Sequence, residues 1–249
     1  MVTVERVRAA HADAWEAEGR ARAAYGGGAA RVRGARLMAS GLPAAKWNNA
    51  DVTGADLDVG AVRRWYAERA VPWGLRVPVE LSVELGRPLF VKRCFGLRRT
   101  GFRPASRPPE LLLRQAGGSE GARFAAAEAT AFGDPVEVAE AWVGPVFGRR
   151  GFEHWVARRD GEVAAVATAV WSHGAAGPAV MLTGLAAVAG TTPAALPALA
   201  TVVLERAFAA APQALAHSHA EPGEDVTWLV RLGFSEVPGL LVRVVEERA

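Results

Sequence analysis

The stretch GPAVMLTGLAAVAGTTPAALPALATVVLERAFAAAPQALAHSHAEPGEDVTWLVRLGF, Gly177 to Phe234, decides how this chain is read. It lies largely within a run that carries no Asp, Glu, Lys or Arg between Glu162 and Glu205. A run of that length suggests a membrane span, but Pro178, Gly184, Gly190, Pro193 and Pro197 cut it into pieces. The pieces read as a buried strand at Val180 to Val188, a tight turn, and a buried helix at Pro193 to Ala211. Thr192 suits an N-cap, and Pro193 suits a first helical turn, where the amide would be unpaired anyway. A short strand at Ala214 to His219, a short helix at Asp225 to Arg231 and a turn at Gly233-Phe234 complete the unit.

Working upstream, Glu153 to Arg158 and Glu162 to Trp171 read as two strands, and Asp160-Gly161 between them is a strong hairpin signal. Leu111 to Arg114 reads as a strand, and Ala122 to Phe132 and Val136 to Val143 as helices. Arg103 to Pro109 (RPASRPP) is the expected linker, since its prolines disfavour helix. Before it come an amphipathic helix at Thr3 to Tyr25, a strand at Arg31 to Met38, a helix at Asp58 to Ala70, a strand at Leu75 to Val83 and a helix at Pro88 to Leu97. Helix, strand, helix and Gly101-Phe102 echo helix, strand, helix and Gly233-Phe234. The echo suggests two copies of one unit, residues 1–105 and 110–249, the first short and degenerate.

The order strand, turn, helix, strand, helix, Leu-Gly-Phe resembles the C-terminal half of the GCN5-related N-acetyltransferase (GNAT) fold. Leu185-Ala186-Ala187-Val188, Leu204-Glu205-Arg206-Ala207-Phe208 and Arg231-Leu232-Gly233-Phe234 carry the likeness. With the internal echo, the chain resembles the tandem members of that family known from actinobacteria. The resemblance implies a mixed α/β sheet, acetyl-CoA as co-substrate and a small-molecule amine as acceptor. It implies pantetheine contacts from the backbone of Leu185, Ala186, Ala187 and Val188. It implies pyrophosphate contacts at the helix start, Thr191, Thr192, Ala194, Ala195 and Leu196, where free amides and the dipole attract anions. The turn departs from the family's R/Q-x-x-G-x-G/A pattern. Aligned from Val188, the basic position falls on Pro193 and the glycines on Leu196 and Ala198. The tyrosine that protonates the departing thiolate in many members falls on Leu229.

For acid–base chemistry the expected residues are His219 and Glu153, with His154 and His173 near the acceptor. His217 and His219 lie two apart on one strand face, and Glu221 continues it. That pattern can hold a metal or can be a polar strand end, and the second reading is adopted, with no metal. Trp47-Asn48 reads either as a turn with self-bonded asparagine or as a wall of the substrate groove. Lone Cys94 reads as buried and unreactive.

Composition narrows the classes. Half the 249 residues are apolar, enough for a sizeable core, and the formal charge is +3. No dense basic run with interleaved aromatics marks nucleic-acid binding. The N-terminus lacks an apolar signal core, and one cysteine allows no internal disulfide, so a cytoplasmic monomer or homodimer without membrane partners is expected. The alternative to an acetyltransferase is a non-catalytic protein of the same fold that binds or senses a ligand.

Overall fold

The computed structural model describes residues 2–188, 190 and 192–245. The chain opens with helix α1 (Val4–Ala21). The N-terminal half then supplies β1 (Gly28–Val32), β2 (Ala35–Ala39), β3 (Asn49–Val52), α2 (Val59–Ala67), β4 (Trp73–Pro78) and β5 (Arg87–Arg98). The C-terminal half supplies β6 (Leu112–Gln115), α3 (Gly121–Phe132), α4 (Val136–Val143), β7 (Phe152–Arg159), β8 (Glu162–Gly174), β9 (Gly177–Ala187), α5 (Ala195–Ala210), β10 (Leu215–Ala220), α6 (Thr227–Arg231) and β11 (Ser235–Val245).

All strands join one mixed sheet in the order β1-β2-β3-β4-β11-β5-β10-β9-β8-β7-β6. The N-terminal half has two antiparallel pairings followed by the parallel pairing β3–β4, and the C-terminal half has three, the extra one being β6–β7, followed by the parallel pairing β9–β10. A parallel pairing needs a crossover, and α2 and α5 provide it. The last strand of each half crosses to the other, so β11 lies beside β4, β5 lies beside β10, and β5 and β11 pair with each other. An approximate two-fold axis therefore runs between β5 and β11.

The helix expected at Pro88 to Leu97 is strand β5, which corrects the reading. Cys94 packs on one face of the sheet, while Phe95 and Leu97 pack on the other. Alternation of that kind, with Phe90, Val91 and Phe95 in the run, favours a strand. The counterpart of this segment is therefore β11 and not α6. The single strand expected at Arg31 to Met38 is the hairpin β1–β2, turned by Gly34 at φ 73.

The faces of the sheet divide by side-chain size. Ala157, Ala165, Ala167 and Ala169 give one face a shallow alanine surface, on which α5 lies through Ala195, Ala198, Leu199 and Val203. The opposite face carries α1 and α3. Val166 and Ala186 meet Phe124 of α3, and Val170 and Met181 meet Ala14 of α1.

Helix α1 is not the half-solvated amphipathic helix expected. His11, Asp13, Glu16 and Glu18 are buried along with its apolar residues. The three carboxylates turn inward because cations meet them there: Asp13 takes Arg36, Glu16 takes Arg31 at 2.9 Å, and Glu18 takes Arg22 at 2.8 Å. The helix roofs the seam between the two halves.

Candidate functional site

Strands β9 and β10 pair from Ala179–Leu215 to Leu182–Ser218 and no further, although β9 runs on to Ala187 and β10 to Ala220. The sheet is therefore split at this end. The split coincides with a bulge, because the β8–β9 register slips between Thr168–Thr183 and Val166–Ala186. Gly184 sits in the bulge at φ 56, and a Cβ there would run into the Glu128 carboxylate.

The strand amides divide. Val188 gives its N–H to Ala164 O at 3.0 Å. By the alternation of an antiparallel ladder Ala186 also faces β8, and Leu185 and Ala187 turn their N–H groups to the split. Two of the four expected strand contacts are thus spent inside the sheet.

The helix start also differs from expectation. Thr191 lies outside the described residues. Thr192 is not the N-cap: α5 begins at Ala195, and the cap position is Ala194, already helical at φ −76 and ψ −14. Thr192 Oγ1 accepts from the Ala194 N–H at 3.4 Å, and the Ala195 N–H goes to Thr192 O at 3.0 Å. Pro193 and Pro197 have no N–H to give. Among the described residues, Leu196 is the one N–H of the first turn of α5 itself, Ala195 to Ala198, that shows no backbone acceptor. An anion-binding helix start offers several.

Cations lie nearby instead. A cleft of about 420 Å³ is walled by Pro193, Ala194 and Pro197, by Trp228 and Arg231 of α6, and by linker residues Arg103 to Ser106. The linker is held there because Arg103 N–H donates to Leu232 O at 2.9 Å and Ala105 N–H to Thr201 Oγ1 at 3.0 Å. Arg103 and Arg231 are exposed and make no ion pair among the described residues. Leu229 is core, 2 % exposed.

On the opposite face stands Glu128, which sequence reasoning missed. It is 5 % exposed and makes no ion pair or hydrogen bond among the described residues. Burial, reinforced by the charge of Glu18 and opposed by Arg22, pushes its carboxyl up to about 8. One signal was available: it is the lone charge in AAAEATAF, four residues after core residue Phe124.

His219 is the first β10 residue beyond the parallel ladder. Its ring stacks on His11 at 5.3 Å, and its Nδ1 is buried without a partner. Burial, Lys92 and Arg76 hold it well below the usual histidine range, so it is neutral at pH 7. Around it under α1 gather Trp15, the Asp51–Arg76 pair, Lys92 and His217.

The other expected residues lie elsewhere. Glu153 is on β7 and the α5 face, tied to Arg206 at 3.2 Å and accepting from Trp155 Nε1 at 3.3 Å, so it does not reach the split. His173 is exposed at the β8–β9 turn, at the far end of β9. His154 is packed between Phe124 and Phe147, and burial lowers it to about 4. Asn48 is a structural bolt, 0 % exposed. Its Nδ2 donates to Leu42 O, Ala44 O and Pro72 O at 2.8, 3.0 and 2.9 Å, and its Oδ1 accepts from Ser40 N–H at 2.8 Å. Trp47 stacks on Trp142 of α4 at 4.4 Å and ties the halves together. Cys94 is buried and pushed up to about 11 by burial, hence no nucleophile.

Among the described residues no group of three or more His, Cys, Asp or Glu is arranged to hold a metal ion, and no helix is long and apolar enough to cross a membrane.

No protein-family model matches the sequence, and no curated protein is significantly similar to it. Solved structures are similar. One is a GCN5-related N-acetyltransferase from Kribbella flavida, 13 % identical over 96 % of both chains, with a TM-score of 0.68. Another is a GCN5-related N-acetyltransferase from Sphaerobacter thermophilus, 13 % identical over 87 % of this chain and 78 % of that one, with a TM-score of 0.60. A third is a tandem GNAT protein from the clavulanic acid biosynthesis pathway, 14 % identical over 86 % of this chain and 79 % of that one, with a TM-score of 0.57. The chain has the GNAT fold, in an arrangement consistent with the tandem form. At these identities the fold is what is shared.

Proposed function

We propose that the protein is an acyl-CoA-dependent N-acyltransferase acting on a small-molecule amine. The split between β9 and β10 carries this reading, because it has a different chemistry on each side. The Leu185 and Ala187 amides face the split in the plane of the sheet, and the cleft with Arg103 and Arg231 lies at its α5 side. On the α1 and α3 side is an unpaired buried carboxyl.

An acyl-CoA would supply an activated thioester. Its phosphates fit the two arginines better than they fit the α5 turn, which has one amide to give. Arg103 comes from the linker and Arg231 from α6, so neither stands where the family's turn has its basic residue. Charge-assisted contacts of about 1.5–3 kcal/mol each offset the amides that Pro193 and Pro197 remove.

Glu128 is the proposed general base, in preference to Glu153. A base works best with a pKa near the operating pH. Its carboxyl at about 8 is partly ionised at neutral pH and can take the proton of a bound ammonium. His219, neutral at the mouth of the split, can hydrogen-bond the acceptor.

The lone free amide of the α5 start and the buried Leu229 favour a second reading, a ligand-binding protein that does not use acetyl-CoA. Acetyl-CoA and a panel of amines, followed by thiol release and product mass, separate the two. Glu128→Gln should slow transfer by about 100-fold or more while leaving acetyl-CoA affinity unchanged. No transfer to any amine, with no acetyl-CoA binding, leaves the second reading.

A further inference from the structure

We infer that the seam beneath α1 is a carboxylate-recognition site, and that the acceptor is an amino carboxylic acid.

Lys92 of β5 is 9 % exposed, and its nearest acidic partner is Glu221 at 3.9 Å, beyond hydrogen-bond reach. Asp51 is engaged, because Arg76 grips both its oxygens at 2.7 Å. Asp13 is taken by Arg36 and by the Ala176 N–H at 3.0 Å. Lys92 acts on His11 and His219, and both ring nitrogens of His11 and Nδ1 of His219 have no partner; Trp15, which packs on both rings, leaves its Nε1 unpartnered, and His217, further along β10, leaves its Nε2 so. His11 is 2 % exposed, Trp15 6 % and His217 1 %.

Buried polar groups are almost always paired, and a buried ammonium without an acceptor is costly. One such group is ordinary, but several converging from α1, β5 and β10 are not. The set is rich in donors: an ammonium, an indole N–H, and the one N–H that each neutral imidazole carries. A small oxyanion supplies the missing acceptors and the missing negative charge. Glu221 is about half exposed on the solvent side of Lys92, which marks the rim where a ligand carboxylate would enter.

The place of this cluster names the ligand. Lys92 and His219 lie on the β10 side of the split, and Glu128 lies on the β9 side. A molecule with its carboxylate at Lys92 and its amine toward Glu128 bridges the opening. That step rests on the acyltransferase reading; the oxyanion site does not.

The test uses the full chain with nitrogen-labelled histidine side chains and no acetyl-CoA. The probes are γ-aminobutyrate, glycine, butyrate, n-butylamine and inorganic phosphate, followed by NMR. The carboxylates should shift the His11 and His219 signals saturably, and n-butylamine should not. Lys92→Met should weaken carboxylate binding about tenfold to a hundredfold. Trp15→Phe keeps a ring and removes one donor, so it provides a second variant if Lys92→Met does not fold. No saturable shift with any carboxylate at about 0.1 M, well above the millimolar range of a single ion contact, overturns the site. So does undiminished carboxylate binding in both variants. Tighter binding of phosphate than of any carboxylate overturns the carboxylate assignment. Carboxylate binding without any acyl transfer keeps the site and removes the acceptor role.

Discussion

Replacing Glu128 with Gln should change how stability depends on pH. The folded protein holds this carboxyl at about 8, against an ordinary 4.5, chiefly by burial. The folded state therefore keeps a proton that the unfolded chain has lost. Between these two values stability must fall as pH rises, starting near pH 4.5 and levelling off above pH 8. Each unit is worth about 1.4 kcal/mol, which sets an upper bound of about 5 kcal/mol, and relaxation around the charge reduces this to about 2–4. Gln has nearly the same shape and no charge to bury. Other titrating groups act alike in both proteins and cancel in the difference. For a domain of this size each kcal/mol moves Tm by about 2–4 °C. The variant should thus gain about 4–16 °C on the wild type between pH 5 and pH 9, read by circular dichroism during heating. Curves that stay parallel across that range would show that the carboxyl is not held protonated, and would remove the physical basis for Glu128 as a base.

Asp51→Ala should cost about 3–5 kcal/mol, because it leaves the 2 %-exposed Arg76 guanidinium buried without its partner; an unchanged urea midpoint would count against this. Asn48→Ala should cost about 2–4 kcal/mol, since Asn48 satisfies three carbonyls and the Ser40 amide at once, and catalysis should survive at permissive temperature. A loss of acceptor affinity with stability intact would restore the groove-wall reading of Asn48. Gly184→Ala should impair both folding and transfer, because its φ of 56 disfavours a side chain and the new methyl meets Glu128. Normal stability with normal activity would mean that the bulge is not built around glycine.

Much of the C-terminal half is legible from local signals. Asp160-Gly161 marks its hairpin, both residues at positive φ, and the uncharged run marks β9 and α5. The long-range pairing is not legible. Nothing in RPLFVKRCFGLR says that its neighbours will be β10 and β11, and without them the run reads equally as a helix. That misreading hid Lys92, because its face depends on strand alternation. Glu128 was hidden for a related reason. A glutamate in an alanine-rich helix looks solvated until the bulge at Gly184 is known to lie against it. The acidic residues of α1 misled in the same way, since their partners Arg31 and Arg36 lie on strands whose position over the helix no local pattern encodes.

Calorimetric titration of acetyl-CoA into the wild type and into the Arg103→Ala, Arg231→Ala double variant tests the central claim most directly. The account predicts one saturable site in the wild type, weakened about a hundredfold in the variant by the loss of two charge-assisted contacts, with Tm unchanged. No heat of binding in the wild type, or equal affinity in both proteins, would contradict it.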